Sequence, residues 1–236
     1  MNKEQLKILT DSLKVKPEVF EIWFPYFKKY LAANGINTPE RMLAFLAQTG
    51  QESGRFYYTE EIGEATCHGY SGGCKYKGRG LIGLTHIGNY QKFKDRYGVD
   101  VVTNPSLVGG EFATTSTPEQ LKNSLLASTF YWEWAKLNDL ADKLDLSKSV
   151  FDEPNLSTYK CIGRKINRGM HTDCTKAANG ESVRLENFEK LRIAYNANKK
   201  QFKTLTKNSS DPILIGLSVA IGVTFVALFL YDKYKR

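Results

Sequence analysis

The segment TPERMLAFLAQTGQESGRFYYTEE, residues 38–61, decides the fold prediction. Thr38 is a favourable N-cap residue, and Pro39 suits the first position of a helix. Apolar side chains then recur at helical spacing and predict a helix that faces a core: Met42, Leu43, Phe45, Leu46 and Ala47. Glycine readily adopts the left-handed conformation, so we expect the helix to end at Ser53-Gly54. Glu52 then lies on the last turn of a largely apolar helix, beside a break in the chain.

The position of Glu52 suits a general acid, because partial burial there would keep a carboxyl group protonated. The alternative is a helix-end glutamate that faces solvent. The glycine-rich stretch that follows, residues 55–80, has no helical period and predicts a loop that carries Glu60, Glu61 and Glu64. Hydrolysis of a glycosidic bond usually requires two carboxyl groups, one on each side of the bond. Glu52 and a loop glutamate would supply such a pair, unless the loop residues are only a solvated acidic cluster.

Size and charge limit the classes of function. The chain has 236 residues and 42% hydrophobic residues, enough for one well-cored domain and an appendage. Its 33 Lys and Arg against 25 Asp and Glu give a formal charge of +8, which suits an anionic partner such as a bacterial cell wall or a membrane surface. No basic-aromatic repeat accompanies the charge, so we expect no nucleic-acid partner. The N-terminal sequence lacks the continuous apolar run of a secretory signal.

The C-terminal segment Ile213–Tyr231 is nineteen residues long and contains no charged residue. At about 1.5 Å per residue, such a helix nearly spans a hydrocarbon core of about 30 Å, so it predicts a single transmembrane helix. Gly216 with Ala220, and Ser218 with Gly222, would provide a face for helix pairing in the membrane. The expected division of the chain is a soluble domain (1–195), a polar basic linker (196–211), the transmembrane helix (212–231) and a basic tail (232–236).

The four cysteines form two local pairs, Cys67 with Cys74 and Cys161 with Cys174. In an oxidising compartment each pair could close a short loop, and free thiols are the alternative. Neither pair has C-x-x-C spacing, so the sequence predicts no metal site and no cofactor.

Helical periodicity also describes most of the remaining chain. It predicts helices over Lys3–Leu13, Pro17–Asn34, Thr117–Trp134, Asp139–Asp145 and Glu181–Asn196. Pro25 is expected to kink or divide the second of these. Residues 160–174 are basic and punctuated by glycine, which predicts a loop on the wall of a cleft. Trp132 and Trp134 cannot both point inward on one helix, so we expect Trp132 in the core and Trp134 facing a cleft or another helix.

Two ordered motifs resemble a known family. GRGLIGLT at residues 78–85, followed by Asn89-Tyr90, resembles the signature segment of glycoside hydrolase family 19, which holds chitinases and compact endolysins of bacterial viruses. AFLAQ at residues 44–48, followed by Glu52-Ser53-Gly54, resembles the family's catalytic-acid helix. Later family segments match Asn104-Pro105, residues 124–134 and Ile166-Asn167. The resemblance covers about residues 20–195 and implies a mainly α, two-lobed, lysozyme-like domain with a cleft between the lobes.

The resemblance implies a role for each matching residue. Glu52 would be the general acid and Glu61 the base, nine residues later as in the compact endolysins, with Glu60 as the alternative base. The family inverts at the anomeric carbon, so the two carboxyl groups should stand about 6.5–9.5 Å apart with a water between them. The other roles are holding the attacking water for Thr85, substrate binding for Asn89, Asn167 and Tyr76, and support of the carboxylates for Arg184 and Arg79.

Three positions depart from the family pattern. Gln51 stands where histidine is usual, Gly83 where glutamine is usual, and Arg168 where glycine is common. None of these departures removes a carboxylate, so the sequence still predicts an active enzyme.

The expected function is hydrolysis of β-1,4 linkages in peptidoglycan by a membrane-anchored enzyme of a bacterial virus. It would reside in the virion membrane or the host inner membrane, held by Ile213–Tyr231, and act during infection or lysis. One alternative is a chitinase. Two others are a non-hydrolytic wall-binding protein on the same fold and a structural protein of the virion membrane.

Overall fold

The computed structural model describes residues 1–63 and 67–202. Within them the chain forms helices joined by loops and short 3-10 turns, and strand-like pairing is limited to isolated bridges. This confirms the prediction of a mainly α chain. The helices are α1 (Lys3–Ser12), α2 (Pro17–Tyr30), α3 (Pro39–Glu52), α4 (Ile87–Tyr97), α5 (Pro118–Trp134), α6 (Leu137–Ala141), α7 (Asn155–Arg168), α8 (Glu181–Ala197) and α9 (Lys199–Phe202).

Helix α3 has the boundaries that its sequence predicts. The Thr38 hydroxyl accepts a hydrogen bond from the amide of Arg41 at 3.3 Å, and Pro39 occupies the first helical position. The helix ends at Glu52, and Gly54 follows with φ = 55° in the left-handed region. Residues 42–50 are all buried, and α3 packs against α8. Glu52 therefore emerges from a helix that the surrounding core holds rigidly.

Two hydrophobic cores organise the described residues. The larger core contains the inner faces of α1, α2, α3, α7 and α8. The smaller core surrounds α4, with Tyr90 and Phe93 at its centre. Helix α5 contributes to both, because Leu125 and Trp132 enter the larger core while Leu126 enters the smaller one. Helix α5 therefore links the two cores.

Helix α2 passes through Pro25 without interruption, so the expected division there was wrong. Proline removes one backbone hydrogen bond, but Pro25 lies on the exposed side of the helix. The buried side chains of Phe20, Trp23 and Phe27 anchor both halves in the same core. Gly35, with φ = 81°, terminates the region as predicted.

Helix α7 occupies residues for which the sequence predicted a loop beginning at residue 160. Tyr159, Ile162 and Ile166 are buried along one face of this helix, and the loop begins only at Gly169. Helix α6 ends at Ala141, earlier than the predicted helix over residues 139–145.

The folded domain extends beyond the predicted boundary at residue 195. Helix α8 continues to Ala197, and α9 follows where the linker was expected to start. Phe202 is 1% exposed, and its ring centroid lies 5.0 Å from that of Tyr195. The remaining linker, the predicted transmembrane helix, the basic tail and Glu64 lie outside the described residues. Between residues 1 and 202, apart from 64–66, no helix is both long and apolar enough to cross a bilayer.

Both local cysteine pairs are disulfides, which resolves the alternative that the sequence left open. Cys67 and Cys74 have Cα atoms 4.7 Å apart, and Cys161 and Cys174 have Cα atoms 5.0 Å apart. Each bond closes a loop that contributes residues to the same cleft, the first with Tyr70 and the second with Asn167 and Arg168.

Candidate active site

A cleft of about 930 Å³ lies where the two cores meet. One wall carries residues on or beside α3, α5 and α7, among them Glu52, Tyr131 and Asn167. The loop after α3 and the start of α4 supply further lining residues, with Glu61, Thr85 and Asn89. The cleft is open to solvent.

Glu52 is oriented by a buried arginine. Arg184 of α8 is 3% exposed, and its Nη2 donates to Glu52 Oε1 at 2.6 Å. Its Nη1 donates to Gln48 Oε1 at 2.7 Å, and its Nε donates to the Asn179 carbonyl at 3.0 Å. These three bonds fix the plane of the guanidinium group and therefore the direction of the Glu52 side chain. The Glu52 side chain is 21% exposed, so it still reaches the cleft.

Tyr131 forms an apolar wall beside the acid. Its hydroxyl donates to the Lys165 carbonyl at 2.7 Å, which ties α5 to α7. Burial raises the pKa of Tyr131 to about 12, and the nearby Glu52 carboxylate acts in the same direction. Tyr131 is therefore a neutral phenol at neutral pH, and it lines the cleft.

Glu61 is held by neutral donors. Its amide donates to the Gly78 carbonyl at 2.8 Å, and the Gly78 amide donates to Glu61 Oε2 at 3.0 Å. The Tyr70 hydroxyl lies 3.2 Å from both carboxylate oxygens. A side chain at position 78 would crowd this arrangement, since an added Cβ would lie 3.3 Å from Glu61 Oε2. The loop therefore presents the Glu61 carboxylate to the cleft in a fixed position.

Glu60 has a different environment, although it also lines the cleft. Its Oε2 accepts from Arg79 Nε at 2.6 Å, and its Oε1 pairs with Lys77 Nζ at 2.6 Å. Arg79 donates further to the Lys75 carbonyl and to the Tyr90 hydroxyl. Two cations hold the two oxygens of Glu60, which makes this carboxylate a cross-link of the loop. The contacts thus favour Glu61 over the alternative base, and Arg79 supports Glu60.

The predicted polar residues are mostly at the cleft. Thr85 and Asn89 are adjacent, because the Asn89 side-chain amide donates to the Thr85 carbonyl at 2.8 Å. On α7, Asn167 Oδ1 accepts from the Asn179 amide at 2.9 Å. Tyr76 requires a correction: it is 5% exposed in the smaller core, does not line the cleft, and donates its hydroxyl to the Val102 carbonyl. Its neighbours in the signature segment reach the cleft, whereas its own ring packs against Tyr90.

The structure gives the surroundings of the three residues that depart from the family pattern. Gln51 lies beside α8, where its side-chain oxygen is 3.4 Å from Asn187 Nδ2. Gly83 lines the cleft with φ = 80°. Arg168 also lines the cleft, and its guanidinium donates to the Ala177 carbonyl and to Asn179 Oδ1.

Comparisons with known proteins bear on the fold. Neither protein-family models nor curated proteins gave a match to the sequence. Among solved structures, chitinase C from Streptomyces griseus HUT6037 superposes with a TM-score of 0.50 at 21% identity, covering 83% of this chain and 76% of that one. A mutant of chitinase C gives a TM-score of 0.50 at 19% identity, with the same coverage. A bacterial family 19 chitinase gives a TM-score of 0.50 at 20% identity and covers 82% and 93% of the two chains.

The chain has the family 19 chitinase fold. The mainly helical architecture is thereby confirmed against solved structures. Within this fold, the described residues bring Glu52, Glu61, Thr85, Asn89 and Asn167 to one cleft.

The sequence did not predict the cleft position of several residues. Tyr70, His86, Lys92, Tyr131 and Trp134 all line the cleft, and only Trp134 had been considered for such a position. Tyr70 lies in a loop without periodicity, where only the flanking cysteines signalled a constrained structure. Tyr131 and Lys92 lie on helices whose register relative to the cleft depends on tertiary packing. In the part of the chain that the structure describes, no three His, Cys, Asp or Glu side chains converge as metal ligands.

Proposed function

We propose that this protein is a glycoside hydrolase in which Glu52 is the general acid and Glu61 the general base. The observation that carries the proposal is the position of two carboxyl groups, from separate structural elements, on one cleft with different partners. A buried arginine orients Glu52, whereas neutral donors hold Glu61. Inverting hydrolysis needs two carboxyl groups in distinct roles.

In the proposed reaction, Glu52 donates its proton to the glycosidic oxygen as the bond to the anomeric carbon breaks. Arg184 then stabilises the resulting Glu52 carboxylate, because the guanidinium already contacts Oε1. Glu61 accepts a proton from the water that attacks the anomeric carbon from the other side, and the Thr85 hydroxyl helps to hold that water. The products are two glycan ends with inverted configuration. Solvent returns a proton to Glu52 and removes one from Glu61.

The proposed substrate is the β-1,4-linked glycan of peptidoglycan. The formal charge of +8 supports an anionic polymer over the neutral chain of chitin. The resemblance of the GRGLIGLT segment and the acid helix to compact viral endolysins supports the same choice. A chitinase is the alternative, since the solved structures that share the fold are chitinases.

The proposed setting is a membrane of a bacterial virus or of its host. The uncharged segment Ile213–Tyr231 would anchor the enzyme, and the lysines that precede it would favour anionic lipid headgroups. Pairing of two such helices through Gly216 and Ala220 would place two enzymes side by side. This arrangement would confine wall cleavage to the surface of the membrane during infection or lysis.

The test uses the full chain in detergent micelles on purified peptidoglycan sacculi. Turbidity loss with new reducing ends is expected from the wild type. Glu52→Gln and Glu61→Gln should each lower the rate by about 100-fold or more, because each removes a proton-transfer group. Glu119→Gln is the matched control, since Glu119 is an exposed glutamate in the first turn of α5.

The outcomes separate the alternatives. Undiminished lysis by Glu52→Gln would show that the acid is misassigned. Faster cleavage of chitin oligosaccharides than of sacculi would favour the chitinase. Binding of sacculi without cleavage by the wild type would indicate a wall-binding module, and neither binding nor cleavage would favour a structural membrane protein.

A further inference from the structure

Lys92 and Trp134 form a contact at the cleft that the proposed reaction does not use. The Lys92 ammonium nitrogen lies 3.9 Å from the centroid of the Trp134 ring, within the range of a cation–π interaction. Both residues line the cleft, Lys92 from α4 and Trp134 from the end of α5. Trp134 is held from behind, since Phe130 stacks on it with ring centroids 5.8 Å apart.

The charge of Lys92 is not balanced by a carboxylate among residues 1–63 and 67–202. The other two basic residues of α4 are paired: Lys94 contacts Asp100 at 2.7 Å, and Arg96 contacts Glu133 at 3.3 Å. Glu133 precedes Trp134 in the chain, yet it pairs with Arg96. Within the part of the chain that the structure describes, Lys92 is therefore the basic residue of α4 that lines the cleft without a carboxylate partner.

Trp134 continues the wall that begins at the acid, and Lys92 contacts Trp134 from α4. Tyr131 and Trp134 are three residues apart on α5 and therefore share a face of the helix, with ring centroids 6.4 Å apart. Tyr131 lines the cleft together with Glu52. An aromatic surface thus leads along one wall from the site of cleavage to a cation. Arg168 adds a second cation to the cleft, and its guanidinium donates to a carbonyl and to an amide oxygen.

We propose that Lys92 and Trp134 form a subsite for a carboxylate-bearing sugar of the glycan. The inference rests on the proposed hydrolase function and names the chemistry by which its cleft would recognise substrate. The carboxylate of the sugar would pair with the Lys92 ammonium group, which the Trp134 ring holds at the cleft. A neutral chitin chain offers this ammonium group no counter-charge. A muramic acid residue offers a free lactyl carboxylate where its stem peptide has been removed, and stem-peptide carboxylates where the lactyl group is amide-bonded to the peptide.

The test measures binding of the full chain carrying Glu52→Gln, so that no glycan is consumed. The probes are intact sacculi, glycan strands freed of stem peptides by an amidase, and neutral chitin oligosaccharides. At low salt, adding Lys92→Met should weaken binding to the carboxylate-bearing strands by about fivefold, the upper range for one part-exposed ion pair. The ratio of affinities for anionic and neutral glycans should fall by a similar factor. At about 1 M salt the difference should disappear, because the Debye length is then about 3 Å.

Two further variants control for packing. Lys92→Arg keeps the cation over the ring and should retain the preference for the anionic glycan. Lys143→Met removes an exposed lysine outside the cleft and should leave the affinity ratio unchanged. Dependence on Lys92 that persists on peptide-free strands would assign the lactyl carboxylate as the ligand. Dependence that appears only on intact sacculi would assign the stem peptide.

An unchanged affinity ratio in Lys92→Met would overturn the proposal, and so would equal losses on anionic and neutral glycans. Failure of the proposed function is distinguishable, because binding is measured apart from cleavage. Lys92-dependent binding by a wild type that cleaves no glycan would leave the subsite standing and remove the hydrolase. Cleavage of sacculi by the wild type, with binding that does not depend on Lys92, would support the hydrolase and remove the subsite.

Discussion

Tyr70 acts on the site through its hydroxyl group. It lies within the loop that the Cys67–Cys74 disulfide closes, and its ring meets the edge of His86 with centroids 5.1 Å apart. His86 is fixed in turn, because its Nδ1 accepts from the Ser71 amide at 3.0 Å. The Tyr70 hydroxyl therefore reaches Glu61 from a constrained loop and acts as a positioning group for the proposed base.

We expect Tyr70→Phe to lower kcat/KM for glycan cleavage by about tenfold while the protein stays folded. The substitution removes one hydrogen bond to a carboxylate, worth about 1.5 kcal/mol, and leaves the bond from the Gly78 amide in place. Steady-state kinetics on sacculi would measure the change. Tyr26→Phe is the control, since Tyr26 does not line the cleft, and an equal loss there would contradict the proposed role of Tyr70.

At the residue scale, the sequence located both carboxylates and most polar neighbours. Glu52 could be placed because helix capping, apolar spacing and a terminal glycine are local signals. Tyr76 was misplaced, because nothing in the sequence tells which side of the signature segment faces the smaller core. Tyr70 was missed since its contact with Glu61 depends on the path of an aperiodic loop.

At the scale of elements, α7 and α8 are joined by a bidentate ion pair. Arg164 Nε donates to Glu181 Oε2 at 2.7 Å, and Arg164 Nη2 donates to Oε1 at 2.9 Å. The hydrogen bond from Arg164 lowers the pKa of Glu181 below its usual value of 4.5. The pair braces the loop between the two helices, which carries Asn179 and thereby contacts Asn167.

Glu181→Gln should lower the free energy of unfolding by about 1 kcal/mol at pH 7. A carboxyl group whose pKa is lowered by folding stabilises the protein above its unfolded pKa, and this contribution is lost as the pH falls through the folded value. The variant and the wild type should therefore converge below pH 4. Urea denaturation at pH 7 and pH 3 measures both points, with the exposed Glu186→Gln as control. A difference that persists at pH 3 would show that the effect is not electrostatic.

Helix α7 continues to Arg168, although the sequence predicted a loop from residue 160, and it shows why some helices could not be predicted from the sequence. Gly163 suggested a loop, but an added Cβ there would lie 3.1 Å from Arg184 Cδ and 3.3 Å from Gln48 Nε2. The glycine allows the helix to pass close to the arginine that holds Glu52. The presence of Gly163 is explained by a contact between distant parts of the chain. The cap of α3, in contrast, depends on neighbouring residues and was predicted correctly.

At the scale of the whole molecule, the two ends of the described chain meet. The Gln5 side-chain amide donates to the Gln201 carbonyl at 2.5 Å, and Phe202 enters the larger core. The residues that the sequence assigned to a linker therefore complete the domain as far as Phe202.

Phe202→Ala should lower the free energy of unfolding by about 3 kcal/mol or more, because it removes a buried aromatic side chain and leaves a cavity. Ile193→Ala on the exposed side of α8 is the matched control and should change stability by about 0.5 kcal/mol or less. Chemical denaturation of the full chain measures both. Equal stability of the two variants would place the end of the domain back near residue 195.

The three tryptophans of the chain differ sharply in their surroundings. Trp23 and Trp132 are 1% and 0% exposed, whereas Trp134 is part-exposed at the cleft. Acrylamide in solution should therefore quench the emission of Trp134 while the two buried indoles stay shielded. Loss of that quenching as glycan is added would report occupancy of the cleft without an attached label. The same titration applies to the wild type and to variants that do not cleave the glycan.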